Sequence, residues 1–430
     1  MEWNGISKRS TSMYRHMFFC GLLLSLLSVG FLSSVTTHTA FSWNVQTVDD
    51  YGAHIGNGYT PIVVDSNNTA HIAYTRYVNE TYYVVYASWN GTGFSTQDVA
   101  EGDAYSLALD SKNSPHILYG SFQEPLMYAS WTGTEWVSQT VDANGAGFGM
   151  VALDSSGNPH IAYTDGATIK YAFLKGSSWS IQTVATYKLG DISFKLSFAL
   201  DKNDMPYIMY SPASYIDYSQ PIGIRAINVT LATYQNSNWN IQALSLPTPT
   251  GDYGNLVVDS KGRLHAIFTQ HHFVSTENMT TLSSILYASW NGTAWNTQNL
   301  VSNISFNSMS LTLDSRDYPR IITSTGTYAS WTGTSWNIQT ANLDRVEGPC
   351  YLAVDANSNP YVSYRQSSPH KFNTNIIYAT ATEALVTEPM QPSSPASSDV
   401  LLLTVLAIVF IGTVTTVIIY AWNKKRRETR

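Results

Sequence analysis

Short apolar runs alternate with polar turns along the middle of the chain, and the alternation repeats. The stretch Ser106-Leu-Ala-Leu-Asp-Ser-Lys-Asn-Ser-Pro-His-Ile-Leu-Tyr119 holds two apolar runs split by a polar turn. A second pattern, Tyr-Ala-Ser-Trp with a Gly turn after it, recurs from Tyr86, Tyr128, Tyr287 and Tyr328. Aromatic runs on either side of a Gly turn are the mark of a β-hairpin. Each repeat therefore predicts four strands. Strand A ends at an aspartate, B surrounds Pro-His-Ile-x-Tyr, C is Tyr-Ala-Ser-Trp, and D is Trp-x-x-Gln-Thr-Val.

The aspartate that ends strand A stands at Asp65, Asp110, Asp154, Asp201, Asp259, Asp314 and Asp355, at intervals of 41 to 58 residues. That spacing is the length of a four-stranded propeller blade. Strands A and C are apolar on successive residues, as expected where neighbouring blades bury both faces of a sheet. Ala108, Ala152, Ala199 and Ala353 fall at the expected middle of strand A, where blades crowd toward the axis. Strand D opens at Trp43, Phe94, Trp136, Trp179, Trp239, Trp295 and Trp336, so the first copy precedes the first strand A. The last repeat stops after strand C, at Tyr378-Ala-Thr380. Trp43 to Val48 is thus expected to pair with the final blade and hide the open edge. The predicted fold is all-β: a seven-bladed β-propeller of four-stranded blades closed by an N-terminal outer strand. Eight blades is the alternative, should an insertion conceal a degenerate one.

The two ends add a location. Lys8, Arg9 and Arg15 precede an apolar segment from Met17 to Leu32, the charge-then-apolar order of a secretory signal. Residues 1–40 read as a signal peptide or an uncleaved anchor, and 41–382 as the propeller. Residues 383–398 form a Pro/Ser-rich stalk. Val400 to Trp422 holds no charged residue, so 399–422 is long enough to span a bilayer as one C-terminal transmembrane helix, and the basic tail 423–430 places that end in the cytoplasm. The propeller is then extracellular, at the cell membrane. Charged residues make up 12% of the chain with a net charge of -7, which disfavours nucleic acid as a partner. Cys20 and Cys350 cannot make a disulfide framework, which leans the reading toward a prokaryotic surface protein held by core burial.

The unit Leu-Asp-Ser-x-Gly-x-Pro-His-Ile-x-Tyr, followed by Tyr-Ala-x-Trp-x-Gly-x-x-Trp, resembles the repeats of bacterial and archaeal extracellular β-propellers. These are loosely sialidase-like and similar to seven-bladed lectins, and the resemblance implies an archaeal-type surface protein. It covers roughly residues 41 to 381. The sialidase Asp-box is missing, because Asp154-Ser-Ser-Gly-Asn-Pro159 has no Trp after it. Arg76, Arg225, Arg263, Arg316, Arg320, Arg345 and Arg365 do not group into that family's arginine triad.

An internal repeat is its own control. A residue present in most copies serves every blade, so the seven aspartates read as turn caps. His71, His116, His160 and His265 share one repeat position, filled elsewhere by Tyr207, Arg320 and Tyr361. Equivalent positions stand far apart around a ring and cannot share a metal ion. Differences between blades are more telling. The D–A and B–C connections share one face, and the long B–C insertions are Thr75–Tyr82, Ser211–Val229 and Thr269–Ser283. The D–A connections are acidic, with Asp49, Asp50, Glu101, Asp103, Asp142, Asp191, Asp252, Asp344 and Glu347. Tyr215, Asp217, Tyr218, Arg225, His271 and His272, from blades 4 and 5, are the candidate ligand-binding residues for Ca2+, a cationic group or a glycan. Sequons occur at Asn67, Asn79, Asn90, Asn228, Asn278, Asn291 and Asn303; Asn79, Asn228 and Asn278 are the glycosylation candidates. Asn90 and Asn291 are equally explained as hairpin-turn residues.

No phosphate-cradling loop, zinc spacing or nucleophile elbow occurs. The expected function is a membrane-anchored recognition or adhesion module for an extracellular glycan or protein, without catalytic residues or an obligatory cofactor. The alternatives are a polysaccharide hydrolase or lyase using carboxylates such as Asp191, Asp217 and Asp252, and a structural envelope protein.

Overall fold

The computed structural model describes residues 35–50, 58–121, 124–144, 147–166, 168–187, 192–212, 229–246, 250–275, 280–304, 308–367, 374–389 and Arg427. Phe41–Ala384 forms one compact unit; Met1–Ala40 with Leu385–Arg430 forms another. No helix among the described residues is long and apolar enough to cross a membrane, and the expected span 399–422 lies outside them.

The first strand, β1 (Val35–Asp49), belongs to the last sheet. Blade 1 is β2 (Ile62–Val64), β3 (Ala70–Val78), β4 (Thr81–Trp89) and β5 (Phe94–Glu101). Blade 2 is β6 (Asp103–Leu109), β7 (Pro115–Gly120), β8 (Leu126–Trp131) and β9 (Trp136–Asp142). Blade 3 is β10 (Gly149–Leu153), β11 (Pro159–Thr164), β12 (Thr168–Lys175) and β13 (Ser178–Thr186). Blade 4 is β14 (Ile192–Leu200), β15 (Pro206–Pro212), β16 (Thr230–Gln235) and β17 (Asn238–Ala243). Blade 5 is β18 (Thr250–Val258), β19 (Leu264–Ser275), β20 (Thr280–Trp290) and β21 (Trp295–Ile304). Blade 6 is β22 (Met309–Leu313), β23 (Pro319–Thr323), β24 (Thr327–Trp331) and β25 (Trp336–Thr340). Blade 7 is β26 (Val346–Val354), β27 (Pro360–Ser367) and β28 (Thr374–Pro389), with β1 as its outer strand. The described strands thus make seven antiparallel four-stranded sheets, closed as the repeat count requires. β1 begins before residue 41 and β28 runs past 382, beyond the domain edges expected from sequence.

Each repeated aspartate directly follows strand A and builds the same turn. Its Oδ1 accepts the backbone N–H groups two and four residues on, as Asp65 does from Asn67 and Thr69 at 2.8 and 2.7 Å. The residue three after the aspartate takes a left-handed φ in all seven turns: Asn68, Asn113, Gly157, Asp204, Gly262, Asp317 and Ser358. Asn, Asp and Gly tolerate that conformation best, which explains the turn composition.

The apolar core is not one central mass. It divides into seven clusters, and each spans two neighbouring blades. The tyrosine of Pro-His-Ile-x-Tyr is a main filler: Tyr74, Tyr163, Tyr210 and Tyr364 are fully buried. Each such ring stabilises its seam by about 1.5–3 kcal/mol. Polar ties cross the same seams. Trp136, Trp239 and Trp336 donate Nε1–H to Gln97, Gln182 and Gln298 of the preceding blade at 3.1, 3.0 and 2.8 Å. The motif Trp-x-x-Gln is therefore a latch at these three seams, whereas Nε1 of Trp43 and of Trp179 is buried without a partner. Near the axis, neighbouring inner strands are not backbone-paired, and side chains take the exposed N–H groups. Ser106 accepts from Val151, Ser197 from Leu256 and Ser310 from Leu352, at 3.2, 2.7 and 3.1 Å.

Two details differ from the sequence reading. Ala108, Ala152, Ala199 and Ala353 are not mid-strand but next to last, directly opposite His116, His160, Tyr207 and Tyr361. A small residue there leaves room for the long polar side chain across the pair. Two of the expected B–C loops are longer strands instead. β3 and β4 pair as far as Val78↔Thr81 across a two-residue turn, Asn79-Glu80, with φ of 51 and 64°; this is the primed geometry that matches strand twist. β19 and β20 extend likewise.

Candidate functional site at the central mouth

The seven inner strands surround a cavity of about 400 Å³, within the size range of small-ligand sites. Every blade contributes: Tyr59 and Ile62, Tyr105 and Leu107, Phe148 and Met150, Leu196, Asn255, Ser308 to Leu311, and Gly348 to Leu352. These residues cluster toward the starts of the strands, on the face shared by the D–A and B–C connections. Aromatic rings form much of one wall. Tyr59 meets Phe148 at 4.8 Å and Tyr105 at 6.4 Å between ring centroids. The polar side chains of the lining are largely committed to the fold. Asn255 donates to Leu311 O and accepts from Leu311 N, at 2.5 and 2.6 Å, and Ser308 accepts from Cys350 N at 3.0 Å.

Among the described residues no carboxylate or imidazole belongs to this lining. Its ionisable groups are all moved away from neutrality. Burial pushes the Cys350 thiol up to about 11. Burial also raises Tyr105 and Tyr351, and burial with the Asp103 charge raises Tyr59.

Around the mouth, acids of the D–A connections meet cations from the same face. Asp49 accepts from Tyr74 Oη at 2.5 Å and from Arg76 Nε and Nη2 at 3.0 and 2.8 Å. Asp142 accepts from Tyr163 Oη and Lys170 Nζ at 2.8 and 3.0 Å. Arg365 approaches Glu347 at 3.3 Å. The acidity noted in the sequence is thus partly neutralised on site.

On the opposite face, sequence reasoning missed a recurring constellation. His71, His160 and His265 place Nδ1 2.5 Å from the hydroxyls of Tyr86, Tyr171 and Tyr287, and His116 meets Tyr128 in the same way. Their Nε2 atoms face Oδ2 of Asp65, Asp154, Asp259 and Asp110 at 3.4, 3.5, 3.3 and 3.9 Å. Of these, His265–Asp259 has hydrogen-bond geometry; the others are longer or more oblique charge contacts. A neutral imidazole protonated on Nε2 suits both neighbours, accepting from tyrosine and donating to aspartate. Burial lowers all four histidine pKa values, against the pull of the aspartates. Burial would raise the aspartates, but the backbone N–H groups they accept outweigh it and hold them low. Since the arrangement recurs in separate blades, it serves the fold.

Of the six candidate ligand residues, Tyr215, Asp217, Tyr218 and Arg225 lie outside the described residues. His271 and His272 stand on β19, paired with Ser283 and Leu282, in strand rather than loop. Asn79 is exposed at the β3–β4 turn tip, while Asn228 and Asn278 lie outside the described residues. Asn90 and Asn291 each accept from the next turn's N–H groups, such as Thr92 and Thr293 at 3.1 and 2.9 Å, which is the hairpin role expected of them. Among the described residues no group of three or more His, Cys, Asp or Glu is placed to hold a metal ion.

No protein-family model matches the chain, and no curated protein matches it. Solved structures do. A fungal alcohol oxidase in complex with copper is similar at 8% identity and a TM-score of 0.54, over 80% of this chain and 76% of that one. An α-L-arabinanase from Penicillium chrysogenum, complexed with arabinobiose, matches at 12% identity and a TM-score of 0.48, over 81% and 98%. A lectin from Aleuria aurantia with a six-bladed β-propeller fold gives 13% and 0.42, over 68% and 98%. At 8% identity the likeness to the first of these shows the fold alone.

Proposed function

We propose that this chain is a cell-surface recognition module that binds an extracellular glycan at the mouth of its central cavity. The observation that carries this reading is the lining itself, whose described residues are aromatic rings, apolar side chains and a few polar groups committed to the fold. Aromatic faces suit the apolar faces of sugar rings, whereas general acid–base catalysis needs a group poised near the working pH. The charged-then-apolar N-terminus and the apolar, basic-flanked C-terminus support a membrane anchor with the propeller outside.

The test is a glycan and polysaccharide binding screen of the full-length chain in detergent, with and without Ca2+, with the sugars analysed again after a day. Saturable binding of unaltered sugar, weakened at least about tenfold by Phe148→Ala or Tyr59→Ala, is the expected result. Shortened products would replace recognition with turnover. A full set of glycans without binding would leave a protein partner or a scaffold role.

A further inference from the structure

Arg365 lies on β27, and its guanidinium packs at the edge of the central cavity between two glycines. Gly348 belongs to the lining, and Gly58 directly precedes the lining residue Tyr59. A β-carbon on Gly58 would sit 3.4 Å from Cζ and Nη1 of Arg365, and one on Gly348 would sit 3.9 Å from Nη2. Both glycines hold left-handed φ, 77 and 80°, which L side chains rarely adopt. Backbone from blades 1 and 7 thus approaches the guanidinium with no side chain to cover it.

The cation is poorly matched where it sits. Its side chain is 11% exposed, and its ion-pair partner is Glu347, at 3.3 Å and itself 41% exposed. Nε is buried without a hydrogen-bond partner. Arg76 on the same face is different, because its Nε and Nη2 reach Asp49 and its Nη1 reaches Asp98, at 3.0, 2.8 and 2.9 Å. Lys170 is likewise held by Asp142 and Asp165 at 3.0 and 2.7 Å. A guanidinium offers five N–H donors in a flat fork that fits a carboxylate on two points. Burying the fork with Nε unpartnered and one loose ion pair is unfavourable unless something completes it.

We infer that Arg365 is a carboxylate-binding group, and that the glycan taken at the cavity mouth is an acidic one carrying uronate residues. This rests on the recognition reading above and names its substrate class. The sugar ring would lie over the aromatic wall while its carboxylate meets the Arg365 fork. Glu347 competes for the same cation and repels the incoming charge.

The test uses full-length protein and oligomers of galacturonate, glucuronate and mannuronate, each paired with its methyl ester, with affinities measured by titration calorimetry. At least one acid form should bind about 10- to 100-fold more tightly than its ester, the range for a charge-assisted pair. Arg365→Gln should abolish that preference, bringing the acid's affinity down to that of its ester. Glu347→Gln, at a half-exposed position that the fold tolerates, should tighten acid binding several-fold. Equal binding of acid and ester, retention of the preference in R365Q, or no gain in E347Q would overturn the inference while leaving glycan recognition standing. Failure to bind these oligomers while a neutral glycan binds would do the same. Failure of every glycan in the wider screen would overturn both.

Discussion

Blade 6 replaces the relay histidine by Arg320, and the consequence can be measured. Asp314, whose side chain is fully buried, accepts from Arg320 Nη2 at 2.8 Å, Arg316 Nη2 at 2.9 Å and Ser358 Oγ of blade 7 at 3.1 Å. It also accepts the N–H groups of Arg316 and Tyr318 at 2.9 and 3.0 Å. Burial pushes the carboxyl up, but Arg320 and these donors outweigh it and hold the group at about 2. Relative to the usual carboxylate value, that depression is worth about 2 kcal/mol when the group is charged. Asp314→Asn keeps the volume but leaves Arg320, 3% exposed, as a buried charge without its counter-ion. Breaking such a pair costs about 3–5 kcal/mol. Melting of a body this size moves roughly 1–2 °C per kcal/mol, so the melting temperature should fall by about 3–10 °C. Adding Arg320→Met removes the stranded charge, and the double variant should recover about 1–3 kcal/mol relative to the sum of the single changes. Because the folded pKa is depressed, the contribution is complete above the ordinary carboxylate range and is lost as pH falls toward 2. D314N should lack that acid phase. A melting temperature within about 1 °C of wild type, or strict additivity with R320M, would refute the account.

The four relay histidines make a different pH prediction. Their folded pKa values are lowered by burial, so stability is full above the unfolded value of ~6.5 and declines as pH drops below it. Melting followed between neutral and mildly acidic pH should show this decline, with a shallower slope in His265→Gln; a protein that grows more stable on acidification would contradict it. Trp136→Phe should cost about 1 kcal/mol by removing the hydrogen bond to Gln97, read as a shift in urea midpoint, and a cost near that of a full core cavity would mean the latch is mainly packing. Gly326→Ala should be far worse, at least about 2 kcal/mol, because the residue holds φ 83° and its Cβ would lie 2.2 Å from Ala341 O. A normal melt for G326A would show that the turn is free to rearrange.

The fold was legible because the repeat states it seven times. Period, strand order and the closing role of Trp43 to Val48 all follow from counting one motif against another. The Asp–His–Tyr relay was only half legible. The aspartate and histidine were each recognised as repeat positions, yet their meeting depends on the register of the A–B hairpin, which folds residue i onto residue i+6. A signal was present in blade 4. There Tyr207 stands in place of the histidine, and Leu231, two positions along strand C from its partner Thr233, stands in place of the relay tyrosine. The two positions change together there, whereas blades 6 and 7 keep Tyr328 and Tyr378 although Arg320 and Tyr361 replace the histidine.

The central site was hidden for a related reason. Comparison between blades pointed to the long B–C segments, because insertions are conspicuous, and two of these became strand. The same criterion applied to the residues four to six before each repeated aspartate would have found Tyr59, Tyr105, Phe148, Leu196, Asn255 and Tyr351, which vary between blades. Inner-strand residues that tie one blade to the next can obey the repeat even where they line the cavity, as Ser106 and Ser310 do. Aromatic and apolar lining residues without such a tie are freed from it, since each sees a shared space rather than a neighbouring sheet. Arg365 breaks the repeat most sharply: Arg76 is the nearest comparable cation on a second strand, and there aspartates occupy its whole fork. The same side-chain chemistry is closed at one seam of the ring and left open at the cavity's edge, so the departure from the repeat marks where a ligand carboxylate has a place to go.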